Sequence, residues 1–191
     1  MVIQRGQYMR VIAGECRSLP LKTPEGLETR PTQDRIKETL FNILQGDIPE
    51  CVFVDMFAGS GGIGIEALSR GARKAYFIDN GSAANSCILE NLAFTKLQDR
   101  AIVFKQDVTS AIYNIYEKHV DIIFMDPPYE KGLEKGVLEL LKNAKYCDED
   151  TLIIIEADLK TDFDYVTDLG FEISRVKEYK NNKHVFLHKK V

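Results

Sequence analysis

Apolar residues along this chain gather in short unbroken runs, and between the runs they recur every three or four positions. The runs at 51–56, 74–79, 101–106, 119–125 and 151–156 are nearly continuous in Val, Ile, Phe and Ala, the pattern of strands covered on both faces. Each precedes a stretch with helical spacing: Ile65–Arg70, Ser82–Thr95, Val108–Lys118, Gly132–Lys145 and Leu159–Leu169. This alternation predicts an α/β fold, a parallel sheet with helices on both faces. Near the end the pattern changes. Phe171–Tyr179 and His184–Lys189 are joined by Lys180-Asn181-Asn182-Lys183, which is turn chemistry, so they predict an antiparallel hairpin and bring the sheet to seven strands. Upstream, Arg10–Lys22 has strand-like pieces around Gly14 and Pro20 that predict a small hairpin. Thr32 then reads as the N-cap of a helix whose apolar face is Ile36, Leu40, Ile43 and Leu44. The expected organisation is an extension over 1–8, ahead of a second methionine at Met9, a hairpin-and-helix unit over 9–46, and a main domain over 47–191.

Composition narrows the class. With 191 residues, 45% of them hydrophobic, the chain can bury one sizeable core. The cysteines Cys16, Cys51, Cys87 and Cys147 are scattered without a C-x-x-C pair, which fits a reducing cytoplasm. No apolar run approaches membrane-spanning length, and Met1–Tyr8 lacks the apolar stretch of a secretory leader. His184 and His188 have the spacing of metal ligands on a helix but fall in a strand-like tail, so no metal site is expected. Acidic residues outnumber basic ones 22 to 12 over residues 41–170, while both ends are basic. A continuous basic nucleic-acid-binding face usually goes with a high isoelectric point, and here it is near 5.5, so any RNA contact must be local or shared with other partners.

Two segments carry chemistry. Cys51-Val52-Phe53-Val54-Asp55-Met56 runs into Phe57-Ala58-Gly59-Ser60-Gly61-Gly62-Ile63-Gly64, and Gly59, Gly61 and Gly64 spell G-x-G-x-x-G, with Asp79 ending the next strand. Taken alone this is a dinucleotide fingerprint. Asp55 argues for another cofactor: a carboxylate at the strand end repels a pyrophosphate but favours the sulfonium and ammonium of S-adenosylmethionine. The second segment is Asp126-Pro127-Pro128-Tyr129, after the run 120–125. Two prolines, with fixed φ and no N–H, make a rigid polar tip at a strand's carboxyl end. It offers a carboxylate, the Pro127 carbonyl and an aromatic face, which suit a planar base bearing an exocyclic amine.

Met9-Arg10-Val11-Ile12-Ala13-Gly14, Thr29–Leu44, Asp55–Gly61 and Asp126–Tyr129 together resemble the bacterial family that methylates N2 of a guanine in small-subunit (16S) ribosomal RNA. The likeness runs from Met9 to the C-terminus, and its most specific part is Arg30–Leu44. It implies a Rossmann-like class I methyltransferase fold, S-adenosylmethionine as cofactor, and a small ribosomal subunit or assembly intermediate as partner. It further implies catalytic roles for Asp126, Pro127 and Tyr129, with Pro128 against the substrate. Cofactor contacts are implied for Asp55, Phe57, Gly59, Ser60 and Gly61, for Asp79 on the ribose, for Asp107 on the adenine amine, and for Thr32. Arg10, Arg17, Arg30 and Arg35 are the expected RNA contacts. One departure is visible: Asn80-Gly81-Ser82 is uncharged where the family often carries a charge after the ribose acid. DNA adenine or a protein glutamine as methyl acceptor, an NAD-dependent oxidoreductase and a catalytically silent RNA-binding adaptor stay open as alternatives.

Overall fold

Val52–Met56 (β3) is buried at every position, and the sheet is built outward from it. It pairs in parallel with Lys74–Asp79 (β4) on one side and Ile122–Met125 (β6) on the other. Ala101–Lys105 (β5) continues the first side and Leu152–Asp158 (β7) the second. Asn182–Lys189 (β9) lies antiparallel to β7, with Phe171–Glu178 (β8) antiparallel at the edge, giving the order β5-β4-β3-β6-β7-β9-β8. This is the sheet expected from the sequence. The computed structural model describes residues 9–24, 31–128 and 132–190.

The period-two geometry of strands sorts the core into two layers. Val52, Val54, Met56, Ile123 and Met125 face one layer, closed by Val108–Ala111 (α4) and Leu133–Leu141 (α5). Phe53, Ile122 and Phe124 face the other, closed by Pro31–Ile43 (α1), Gly62–Ser69 (α2) and Ser82–Thr95 (α3). Asp55 shares the phase of Phe53, so its carboxylate lies under α2.

Met9–Arg10 (β1) and Pro20–Leu21 (β2) form the small antiparallel hairpin. It is locked to α2 by a buried charge cluster. The Glu66 carboxylate accepts from Ile12 N at 2.7 Å and Ala13 N at 3.0 Å, and pairs with Arg70 at 2.7 Å and Lys37 at 3.5 Å. Lys37, buried on α1, also donates to the Arg10 carbonyl at 2.6 Å. Burial lowers the Lys37 pKa, and the charge of Glu66 works against that fall. Gly14, at φ +83, leaves no room for a side chain: a Cβ would stand 1.8 Å from the Ser69 carbonyl oxygen.

Three expectations need correcting. The α1 helix begins at Pro31, so Thr32 lies inside its first turn rather than capping it; a proline's fixed φ suits the first helical position. Its buried face runs through Lys37, Leu40, Phe41 and Leu44, with Ile36 and Ile43 half-buried. The helix expected over Val108–Lys118 stops after α4 and a 3₁₀ turn at Ile112–Asn114, where the Ile112 carbonyl accepts from Tyr146 Oη at 3.2 Å. Leu159–Leu169 holds only a 3₁₀ turn at Asp164–Val166. Asp158 and Asp162 accept from the backbone two residues on, at Lys160 N (2.8 Å) and Asp164 N (2.9 Å), and such turns compete with a helix.

Candidate active site

Strand order reverses at β3, and open α/β sheets bind ligands at that switch, beyond the carboxyl ends of the strands. Asp55 and Asp126 flank it, on β3 and just after β6. At the end of β3 the chain turns sharply: Phe57, at φ 61, and Gly59, at φ 57, are both left-handed. For a bulky residue such as Phe57 that conformation costs of order 1–3 kcal/mol and concentrates at functional sites. A Cβ on Gly59 would meet nothing within 4 Å. The glycine serves the turn's conformation and leaves the space above it open. Gly61 is also left-handed, at φ 78. Gly64 serves packing, since a Cβ there would lie 2.4 Å from the Phe77 ring. Ser60 is buried and its hydroxyl sits 3.7 Å from Met9 Sδ, so only its backbone borders the turn.

Two carboxylates hold this turn from below. Asp55, 2% exposed, accepts from Gly64 N at 2.8 Å. Its pKa is pushed up to about 8, first by burial and then by the charge of Asp79, against the effect of the Gly64 hydrogen bond. Asp79 accepts from Gly59 N at 2.9 Å with one oxygen and from Gly81 N at 2.8 Å with the other. Each oxygen keeps a further lone pair. Asn85, which the sequence reading did not single out, ties this loop down by donating to the Asp79 and Gly81 carbonyls, both at 2.8 Å. Asp107 is exposed and caps α4, accepting from Thr109 N at 2.9 Å and Thr109 Oγ1 at 2.6 Å through one oxygen. Those bonds lower its pKa, and the second oxygen accepts no hydrogen bond from the described residues.

Across the switch, Asp126 N donates to the Met56 carbonyl at 3.5 Å, which ties the second motif to β3. Pro127 is buried and Pro128 exposed; Tyr129 lies outside the described residues. Enclosure by the protein, followed by the charges of Glu156 and Asp55, raises the Asp126 pKa well above the usual carboxylate range. The residue itself keeps solvent-exposed surface. Asp79, Asp55, Asp126 and Glu156 thus stand along the carboxyl ends of β4, β3, β6 and β7 as a band of carboxylates. Glu156 was not singled out from the sequence. Its partners, Asn182 and His184, come from β9, and nothing local in the sequence says that β9 docks on β7.

The arginines expected on RNA converge in part. Arg10, Arg17 and Arg35 line one groove of about 430 Å³ between the hairpin and α1, together with Asp34 and Glu38. Arg10 is paired with Asp34 at 3.1 Å. Arg30 lies outside the described residues, and Thr32 is placed only by its backbone in α1. Among the described residues no group of His, Cys, Asp and Glu could hold a metal ion, and no helix is long and apolar enough to cross a membrane.

The family model described as conserved hypothetical protein 95 matches residues 9–188. The chain belongs to this family. Its relatives include Ribosomal RNA small subunit methyltransferase D of Escherichia coli K12, 35% identical over 80% of this chain and 76% of that one. The Bacillus subtilis protein YlbH, named as a candidate rRNA methyltransferase, is 37% identical over 78% of this chain and 83% of its own length. Among solved structures, the candidate methyltransferase yhhF of Escherichia coli superposes with a TM-score of 0.80 at 31% identity, covering 96% of this chain and 98% of that one. The resemblance drawn from the motifs therefore holds at the level of family, and the methyltransferase-type sheet holds with it.

Proposed function

We propose that this chain transfers a methyl group from S-adenosylmethionine to the exocyclic N2 amine of a guanine in 16S ribosomal RNA, within an assembled or assembling small subunit. The observation that carries the reading is the carboxylate band at the strand ends. A pyrophosphate over the glycine turn would face Asp55 and Asp79, whereas a sulfonium and an ammonium there would be stabilised by both. The residues fit the cofactor in a second way. The space above Gly59 is open, and Asp79 retains acceptor capacity for two ribose hydroxyls. When bound, S-adenosylmethionine supplies an electrophilic methyl group, transferred as its carbon–sulfur bond breaks and S-adenosylhomocysteine is left.

In this reading Asp79 holds the ribose and Asp107 uses its second oxygen for the adenine amine. Asp55 acts on the cofactor's positive charge from beneath the turn. Phe57, Gly59, Ser60 and Gly61 shape the backbone against the methionine end, over which Thr32 lies. The guanine N2 lone pair is delocalised into the ring, and acceptors at Asp126 and the Pro127 carbonyl draw it toward the tetrahedral geometry of the transition state. Tyr129 and Pro128 hold the base, and the N2 proton leaves to Asp126 or to water. Arg10, Arg17, Arg30 and Arg35 follow the RNA backbone. Residues 9–46 are then the RNA-facing unit and 47–191 the catalytic domain. Names of relatives support ribosomal RNA as substrate over DNA, protein glutamine or a catalytically silent adaptor role. Titration calorimetry tests the cofactor: S-adenosylmethionine and its homocysteine product should bind, and NADH should not. Tighter binding of NADH would overturn the reading.

A further inference from the structure

Beyond the Pro-Pro loop lies a groove of about 380 Å³, lined by Pro127, Pro128, Glu156, Lys160 and Thr161 among others, within the size range of small-molecule sites. Glu156 belongs to its wall and is a poor choice for a merely solvated acid. It stands near the carboxyl end of β7, in register with His184 of β9, and its side chain is only 18% exposed. His184 Nε2 lies 3.1 Å from one carboxylate oxygen, and Asn182 Nδ2 donates to the other. His184 is itself buried, with Nδ1 3.1 Å from Tyr179 Oη. A coherent chain of donors follows: the tyrosine hydroxyl donates to Nδ1, and the opposite ring nitrogen donates to Glu156. The glutamate is held from behind on both oxygens, and each keeps a lone pair for the groove.

We propose that Glu156 reads the target base by accepting the N1–H of guanine, while Asp126 engages the N2 amine next to it on the ring. This rests on the function proposed above and adds to it a residue that sets base specificity. Guanine is the base whose pairing edge carries two adjacent donor groups, N1–H and N2–H₂, and two neighbouring carboxylates complement that edge. Adenine offers an acceptor at N1 and is rejected by the same carboxylate, because two acceptors would then face each other with neither satisfied. Lys160 and Thr161 line the same groove, with the acids Glu134 and Asp158, and are of the residue types that could donate to guanine O6. Asn182 and His184 act as positioning residues, fixing the glutamate rather than touching the base.

The test compares two bases at one position. Small subunits are reconstituted with 16S rRNA carrying guanine, or 2-aminopurine, at the nucleotide the wild-type chain methylates. 2-Aminopurine keeps the N2 amine but presents an acceptor at N1. Wild-type protein should prefer guanine. Glu156→Gln should lose about 10- to 150-fold in kcat/KM on guanine, the range for a hydrogen bond to a charged group. On 2-aminopurine the variant should hold or gain rate, because the amide can donate to N1, so the preference should narrow tenfold or more. The preference is a ratio within one protein, so partial misfolding of the variant cancels. Equal losses on both bases, leaving the preference unchanged, would overturn the assignment and make Glu156 a structural partner of His184. Failure of wild-type protein to methylate either subunit would instead overturn the parent reading, and this one with it.

Discussion

Asp55 lies beneath the glycine turn, where burial and then the charge of Asp79 push its pKa up to about 8. In the free chain it is therefore largely protonated at neutral pH, and an arriving cation favours its ionised form. Binding of S-adenosylmethionine should release a proton, and affinity should rise with pH until about 8 and then level off. Calorimetry in buffers of different ionisation enthalpy counts that proton, and Asp55→Asn should abolish the release. The same shift has a stability consequence. A carboxyl raised from its ordinary 3.8 to about 8 takes up a proton on folding between those values, so its contribution is full at acid pH and is lost as pH rises through 8. Asp55→Asn should accordingly unfold at a higher temperature than wild type at pH 8–9, read by thermal denaturation without ligand. Asp126 gives the kinetic counterpart. Because burial and then the charges of Glu156 and Asp55 raise its pKa, methyl transfer should climb with pH as it ionises. Asp126→Ala should slow single-turnover transfer by on the order of 10²–10³-fold, the cost of a lost transition-state hydrogen bond, with little change in cofactor affinity. Asp126→Asn should keep measurable activity if the side chain acts as an acceptor, and match alanine if it must take the proton.

The strands were legible at the level of elements because each run is buried on both faces, and burial on both faces leaves an unbroken apolar signature. Ile122–Met125 is the clearest case. The helix expected over Leu159–Leu169 was not legible, since Asp158 and Asp162 turn the backbone locally where the apolar spacing alone suggests a helix. Asp126, Asp79 and the glycines stood out because each ends or follows a strand, where chemistry is expected. Glu156 and His184 are brought together only by β9 inserting between β7 and β8, a pairing no local pattern contains. The buried cluster on α2 was equally invisible. Glu66, Lys37, Arg70 and the backbone of Ile12 and Ala13 come from three separated segments. Glu66→Ala leaves Lys37 and Arg70 without the carboxylate that pairs with both, and breaking such a cluster costs about 3–5 kcal/mol. Chemical denaturation should register that loss, and limited proteolysis should show the hairpin released before the sheet unfolds.

At the scale of the whole molecule, a band of carboxylates lies at the strand ends, and the hairpin whose Met9 meets Ser60 borders a groove with three arginines; the function proposed above uses the first for a cationic donor and the second for an anionic target. Binding to the ribosomal particle should weaken with salt. Arg17→Ala and Arg35→Ala should each lower the slope of log affinity against log salt by about 1, leaving cofactor binding unchanged. The most direct test of the account is methyl transfer from radiolabelled S-adenosylmethionine to small subunits prepared from cells lacking the gene, with the label mapped to a base and an atom. The account predicts one labelled guanine at N2, on subunits in preference to protein-free RNA, and its near loss with Asp126→Ala. Label on another base or atom, or wild-type rates with Asp126→Ala, would contradict it.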